Sequence, residues 1–381
     1  DGHKLISSAA DYYDRPLVAV EIYGAFRKRD VHLDDAMLYR PMFEMFARGT
    51  NFVIPHAMWY NPENRIIEPL IASGNEAIAD ELPAYSKFVA RACLLLQGGR
   101  RVSEIGVLYP IEELSGFYNF GKPEKVRQGF YVSPETDYQE ISALLSNDIR
   151  RDFTFVHPEF FLGDKYAIEE ASVTLQNAEN SQEYKVMFLT GSNVASYKTL
   201  GKLKEFYENG GTIISTTQLP SKSSERGEDD QVLALVEAIF GQQTGEGDDS
   251  KILRHPNANG GLAVHIPNPT KETIQAVLDE RMHVDVRFSP NPVLKTDWGK
   301  VNYIHKFRDG QHIYLFTNSS DEAIETDVVL RGDLRLEKWD PHTGEIEREV
   351  VSEKLREDGQ AYTKLKLSLD PVRSLFVVGS N

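Results

Sequence analysis

One cysteine, Cys93, stands in 381 residues. That excludes an internal disulfide and any cysteine-rich zinc site, and it leaves the compartment open. Positive charge is short as well: 42 Lys and Arg face 58 Asp and Glu, for a net charge of −16. A surface that acidic repels nucleic-acid phosphates and anionic membranes, so neither is an expected partner. No run approaches the roughly 18 apolar residues of a membrane span. Internal repeats and low-complexity tracts are missing, and Asp1-Gly2-His3-Lys4 is followed by no apolar signal-peptide core. The chain nevertheless starts abruptly. Lys4–Tyr13 reads as a helix that runs through Asp14-Arg15-Pro16 straight into a strand apolar throughout. A domain seldom opens that way at its edge, so the expectation is the C-terminal part of a longer chain.

What is present is the composition of an ordinary globular protein, 41% hydrophobic and 26% charged. Its length suggests two or three domains. Leu17-Val18-Ala19-Val20, ending in Glu21, has the pattern of a parallel strand covered on both faces. A helix over Asp34–Arg48, closed by Gly49, precedes a second such strand, Asn51–His56. A long helix over Asn75–Gln97 ends at Gly98-Gly99. This is two β/α units. From Glu104 the rhythm restarts with strands at 105–110, 153–156, 186–189 and 212–215. Helices near Thr136–Ser146 and Ser196–Glu208 separate them, which predicts an open doubly wound sheet. Ser221–Gln231 and Gly241–Ser250 read as loops. Leu262–Ile266 and a helix near Lys271–Glu280 complete that region. From Val301 the period becomes two, with turns at Asp309-Gly310, Gly332-Asp333 and Thr343-Gly344, as in an antiparallel sandwich of about seven strands.

In a closed β/α barrel the residues that end each strand face the active site. Glu21 and His56 hold equivalent places on consecutive strands, so they are expected to point into one pocket. Glu21 is followed by Ile22-Tyr23-Gly24-Ala25-Phe26, where Tyr23 and Phe26 flank the carboxylate and Gly24 permits close approach of a ligand. His56 leads into Ala57-Met58-Trp59-Tyr60-Asn61. Flat rings for the C–H faces of a sugar, with Asn and His for its hydroxyls, suit a carbohydrate pocket. A structural reading stands beside each: Glu21 as a loop ion-pair partner, His56 as a satisfied strand-end residue, Trp59 and Tyr60 as caps of the barrel rim.

The second region offers weaker candidates. Val107-Leu108-Tyr109-Pro110-Ile111-Glu112 lacks the Gly-rich turn of a dinucleotide site, and no Walker A motif occurs. Val186-Met187-Phe188-Leu189-Thr190-Gly191-Ser192 has the shape of a nucleophile turn. No cysteine stands there, since Cys93 lies on an earlier helix, and Ser192 would need a placed histidine. Glu112, Glu113, Phe117 and Tyr118 follow a strand end and either wall a pocket or lie on an open surface. His157-Pro158-Glu159 is too little for a metal site. No cofactor is expected, and a surface calcium ion is left open.

The order of these pieces resembles a known family. Ser7-Ser8-Ala9-Ala10-Asp11-Tyr12-Tyr13, Val18-Ala19-Val20-Glu21 and Gly49-Thr50-Asn51-Phe52-Val53-Ile54-Pro55-His56 resemble the last part of the catalytic barrel of α-L-rhamnosidase-type glycoside hydrolases, family 106. Tyr85–Gln97 with Val107-Leu108-Tyr109-Pro110 looks like their passage into an amidotransferase-like domain, which family-42 β-galactosidases also carry. Tyr303-Ile304-His305-Lys306, Ile313–Asn318 and Trp339–Gly344 are similar to the β-domain that follows. The resemblance implies the end of a (β/α)8 barrel over residues 1–98, a flavodoxin/amidotransferase-like α/β domain over 99–290 and a β-sandwich over 291–381. It further implies hydrolysis of a glycosidic bond by two carboxylates, in a periplasmic or extracellular enzyme. Glu21 would be base or nucleophile. Tyr23, His56, Trp59, Tyr60, Asn61, Glu112 and Tyr118 would bind the carbohydrate substrate. The acid would sit on a middle barrel strand, and six of the eight strands have no candidate here. A second reading is a non-catalytic carbohydrate-binding or scaffolding protein derived from such an enzyme. A third, an amidotransferase-like enzyme, is opposed by the missing cysteine.

Overall fold

The computed structural model describes residues 2–23, 34–56, 78–118, 126–127, 130–131, 136–242, 251–295 and 299–380. They form two units, one of Gly2–Val102 folded with Val284–Asn381 and one of Ser103–His283.

The first unit begins with α1 (Gly2–Tyr12), whose buried stripe is polar: Lys4, Ser7, Ser8 and Asp11, spaced as one helical face. Ser7 and Ser8 donate to the carbonyl of Lys4, at 3.1 and 2.7 Å, which satisfies two of these groups within the helix. Strand β1 (Ala19–Ile22) follows. Helix α2 (Asp35–Ala47) starts where Asp34 accepts the N–H of Met37, a side-chain cap, and it buries Leu38, Tyr39, Met42, Phe43 and Phe46. It stops at Gly49, where φ is +102° and an added Cβ would lie 2.7 Å from the Cβ of Ser7. Only glycine meets both conditions. Strand β2 (Phe52–Pro55) pairs in parallel with β1. Asn51, just before it, takes the N–H of Val18 at 2.8 Å and donates to the carbonyl of Pro16 at 2.9 Å, which fixes the entry of both strands. Helix α3 (Leu82–Leu96) and the two-residue strand β3 (Arg100–Arg101) complete this segment. The helix thus begins at Leu82, and residues 57–77 before it lie outside the described residues.

The second unit is built on one sheet. Its elements are β4 (Ile105–Leu108), α4 (Ile111–Gly116), the small pair β5 (Val126–Arg127) and β6 (Phe130–Tyr131), α5 (Tyr138–Ala143), β7 (Thr154–Val156) and α6 (Pro158–Phe161). A meander, β8 (Tyr166–Glu169), β9 (Ser172–Leu175) and β10 (Gln182–Tyr184), leads to β11 (Val186–Leu189). Then come β12 (Val194–Ala195), α7 (Tyr197–Glu208), β13 (Thr212–Thr216), β14 (Lys222–Ser223), α8 (Asp229–Phe240), β15 (Leu253–Pro256), β16 (Leu262–Ile266) and α9 (Lys271–Arg281). The main sheet runs β15-β16-β13-β11-β4-β7. All its pairs are parallel except β15 with β16. Every residue of β4, β7, β11, β13 and β16 is buried, as their apolar runs require. One departure from the sequence reading is α8. Its first turn, Asp229-Asp230-Gln231, looks like a loop by composition, yet acidic residues suit a helix N-terminus.

The chain then returns to the first unit with β17 (Val286–Ser289), β18 (Val301–Arg308), β19 (Gln311–Asn318), β20 (Ile324–Arg331), β21 (Arg335–Trp339), β22 (Ile346–Glu347), β23 (Ser352–Glu357), β24 (Gln360–Leu369) and β25 (Arg373–Ser380). They make an antiparallel sheet β17-β20-β24-β23 and a second, β22-β21-β25-β19-β18-β3, to which the N-terminal segment adds the last strand. Asp309 and Gly310, both at positive φ, turn β18 into β19. One core lies between the sheets, with Phe288, Val328, Tyr314, Phe316 and Val377. The alternate residues of the six-stranded sheet, Ile304, Ile313, Leu315 and Phe376, join a different core with Tyr39, Phe43 and Phe88 of α2 and α3. That sheet is covered on both faces, so β18 and β19 are buried along most of their length rather than at every second residue.

Among the contacts that tie the N-terminal helices to this sheet are those of Arg101 and His342. Arg101 of β3, 2% exposed, gives Nε and Nη2 to Oδ2 of Asp11 in α1 at 3.2 and 2.6 Å. Between β21 and β22, the ring of His342 stacks on Phe88 at 4.5 Å, and its Nε2 accepts the backbone N–H of Ser374 at 3.2 Å. Burial, aided by Arg373 and Arg91, holds its imidazole down at about 4. Asp11→Ala would remove two charge-assisted hydrogen bonds from the buried guanidinium of Arg101, and chemical denaturation should show a loss of about 1.5–3 kcal/mol. For His342 the neutral form is the folded form. Its stabilisation is complete above the usual imidazole range and is lost as pH falls through that range toward 4. Urea titrations of wild type and His342→Gln should therefore diverge, the variant losing up to about 2 kcal/mol less between neutral pH and the acid limb.

Candidate active site

Strand parity brings the two sequence candidates together. In the β1–β2 pair Ala19 registers with Phe52 and Glu21 with Ile54, so these four side chains share one face. Val20, Ile22 and Val53 take the other, where Ile22 and Val53 meet the core of α2 and α3. His56 follows Ile54 by two residues and falls on the face of Glu21. Its N–H continues the ladder to the carbonyl of Ile22 at 2.7 Å, and its Nδ1 lies 2.8 Å from Oε1 of Glu21. The glutamate side chain is 63% exposed and the imidazole 21%. The pair is open to solvent on one side, and the histidine fixes one of the two carboxylate oxygens. Phe52 and Ile54 are exposed beside it.

Tyr23 turns the other way. At φ +67° its backbone is left-handed, a cost of roughly 1–2 kcal/mol for a side-chain-bearing residue. Its ring lies in the core, and its hydroxyl donates to the carbonyl of Leu38 at 2.5 Å and meets the hydroxyl of Tyr85 at 2.8 Å. Burial pushes its ionisation far above the phenol range. The residue braces the end of β1 from behind, a place that its neighbourhood to Glu21 in sequence did not reveal. Trp59, Tyr60, Asn61, Gly24 and Phe26 lie outside the described residues. Cys93 is on α3, where burial raises its thiol to about 11, so it carries no thiolate at neutral pH.

The remaining candidates belong to the second unit. Glu112 lies in the first turn of α4, and Tyr118, just past that helix, is 54% exposed. Glu113, fully buried, accepts the N–H groups of Asn193 and Val194, both at 2.9 Å, and so holds the turn after β11. The hydroxyl of Ser192 in that turn donates to the carbonyl of Val194 at 2.6 Å. Nδ1 of His157 caps α6 through the N–H of Glu159. Among the described residues no three His, Cys, Asp or Glu side chains gather where they could hold a metal ion, and no helix is long and apolar enough to cross a membrane.

A family model, that of the α-L-rhamnosidases of glycoside hydrolase family 106, matches residues 2–352. The chain belongs to that family. Among solved structures, a rhamnosidase from Novosphingobium sp. PP1Y is similar over 98% of this chain and 32% of its own, with TM-score 0.68 and 18% identity. A catalytic mutant of a family-42 β-galactosidase from G. stearothermophilus is similar over 100% of this chain and 57% of its own, with TM-score 0.61 and 15% identity. The β-galactosidase from Bacillus circulans sp. alkalophilus gives 98%, 57%, 0.61 and 10%. No curated protein matches. The chain therefore spans about a third of the rhamnosidase and just over half of the β-galactosidases. At these identities the likeness to the solved structures is one of fold.

Glu112 supplies a test of the geometry after β4. Burial, with the charges of Glu225 and Glu159 adding to it, lifts its carboxyl to about 7 against the backbone bond that opposes this. The folded chain thus holds a proton that the unfolded chain has released above the usual carboxylate range. Stability falls as pH rises from that range to about 7. Glu112→Gln should remove this part of the decline. The expected sign is a variant that gains on wild type by up to about 3 kcal/mol between pH 5 and pH 8 in parallel denaturation curves.

Proposed function

We propose that this chain is part of an α-L-rhamnosidase-like glycoside hydrolase in which Glu21 is the base or nucleophile. The observation that carries the reading is the Glu21–His56 pair at the C-terminal ends of two adjacent parallel strands, the position from which β/α barrels build their sites. In this reading β1 and β2 are two strands of a (β/α)8 barrel. Exposed Phe52 and Ile54 support it, because parallel sheets are normally covered on both faces. Residues 103–283 are then the amidotransferase-like domain, and β17–β25 the β-sandwich.

The chemistry follows from the pair. His56, donating from Nδ1, holds Oε1 of Glu21 and orients the carboxylate, while Oε2 is left for the reacting centre. A carboxylate so fixed either takes a proton from water or attacks the anomeric carbon, as a carboxylic acid on another barrel strand protonates the leaving oxygen. Trp59 and Tyr60 would lie against the sugar's C–H faces, and Asn61 would bond its hydroxyls. No cofactor enters this mechanism.

The test uses the full-length protein and a panel of aryl glycosides that starts with α-L-rhamnoside and β-galactoside. Glu21→Gln keeps the bond to His56 available but cannot act as a base. Its turnover should drop by roughly two to four orders of magnitude, with sugar binding retained. His56→Ala should lower rate and affinity together. Near wild-type turnover by Glu21→Gln removes that residue from the mechanism. Binding without hydrolysis across the panel would favour a non-catalytic carbohydrate-binding protein.

A further inference from the structure

The end of β1 is held by a chain of contacts that starts in the core and finishes at the carboxylate of Glu21. Tyr23 is 9% exposed, and its φ of +67° is a conformation that side-chain-bearing residues keep only where the surroundings impose it. Two helices impose it here. A carbonyl can only accept, so the one hydroxyl proton of Tyr23 goes to Leu38 of α2 at 2.5 Å, and the 2.8 Å bond to Tyr85 of α3 is donated by Tyr85. Tyr85 is steadied in turn by Tyr39, whose ring meets it edge-on at 5.4 Å. The phenol of Tyr23 is thus tied to both helices at once.

What this tie fixes is a peptide plane. The Ile22–Tyr23 peptide is planar, so holding the backbone of Tyr23 also sets the direction of the Ile22 carbonyl. That carbonyl accepts the backbone N–H of His56 at 2.7 Å, a rung at the end of the β1–β2 ladder. From the same residue the imidazole reaches Oε1 of Glu21 at 2.8 Å. The ring of Tyr23 itself lies in the core with Ile22, not on the outward face with Glu21. We propose that Tyr23 is a positioning residue: through the Ile22 carbonyl and the backbone of His56 it sets where the imidazole holds Glu21, and so the aim of the carboxylate. Its effect on rate rests on the hydrolase reading, and its effect on His56 rests on the geometry alone. This role replaces the substrate contact expected of Tyr23 from sequence. Aim matters steeply for a reacting group, since about 1 Å of misplacement can cost roughly 10²-fold in rate.

Variants of the full-length protein test it, each shown to be folded by circular dichroism. Tyr23→Phe keeps the ring in the core and removes only the hydroxyl. Exchange at the His56 amide, followed by hydrogen-exchange mass spectrometry, should then quicken by roughly 3- to 10-fold, about the worth of one hydrogen bond. On an accepted aryl glycoside kcat should fall roughly 10-fold with KM unchanged, as a partial misplacement would produce. Tyr85→Phe leaves the bond to Leu38 in place and should move both readouts the same way by less. The double variant Tyr23→Phe/His56→Ala separates positioning from general loosening. With the imidazole gone the Tyr23 hydroxyl has no route to Glu21, so its removal should cost less than about twofold beyond His56→Ala. The proposal is overturned if His56 exchanges at the wild-type rate in Tyr23→Phe. It is overturned equally if Tyr23→Phe costs the same factor with and without the imidazole, or raises KM and spares kcat. Turnover retained by Glu21→Gln, with His56 exchange quickened in Tyr23→Phe, would mark failure of the hydrolase reading and not of the tie to His56.

Discussion

A guanidinium buried to 2% exposure must be neutralised where it stands, and that constraint organises the unit made from the two ends of the chain. Arg101 sits on a strand of two residues, too short to hold itself in a sheet by its ladder alone. Its guanidinium donates to Asp11, the last residue of the polar stripe of α1. The helix therefore docks by a charge rather than by an apolar face, with Ile6 left 50% exposed. Once β3 is fixed, the six-stranded sheet has its edge, and α2 and α3 close over the face that the other sheet leaves uncovered.

The Glu21–His56 pair depends on this arrangement at one remove. Ile22 and Val53 anchor the inner face of β1 and β2 in the core beneath α2 and α3, and the alternation of strand side chains then directs Glu21 and His56 outward together. Tyr23 completes the support from below through Leu38 and Tyr85. A carboxylate held in this way is oriented by backbone register and by one imidazole. Such positioning does not require packing around the carboxylate itself.

Much of this was legible in the residues. Apolar runs located the strands of the open sheet, and Asp309-Gly310 marked the β18–β19 hairpin of the other unit, because each of those signals is local. Equivalent strand ends identified Glu21 and His56 for the same reason. What sequence could not convey was non-local. The even burial of β18 and β19 comes from helices far away in the chain, and the left-handed backbone at Tyr23 reverses the side that its neighbours suggest. The β8–β10 meander is written in Glu, Gln, Ser and Tyr, which hide its pattern, and α8 begins in residues that also build loops.

The way the chain ends share one core has a consequence during synthesis. Arg40 of α2 finds its carbonyl partner, Ser319, 279 residues further on. The aromatic faces of α2 and α3 are complete by Leu96, but the strands that cover them begin at Val301. At ribosomal rates of roughly 5–20 residues per second, those faces wait about 10–40 s for their sheet. Through that interval Phe43, Phe46 and Phe88 have no permanent cover, while Ser103–His283 emerges with every strand of its own sheet already present. Ser103–His283 is thus expected to fold before the segments that flank it, and α2 and α3 are natural clients for a chaperone until β18 and β19 arrive.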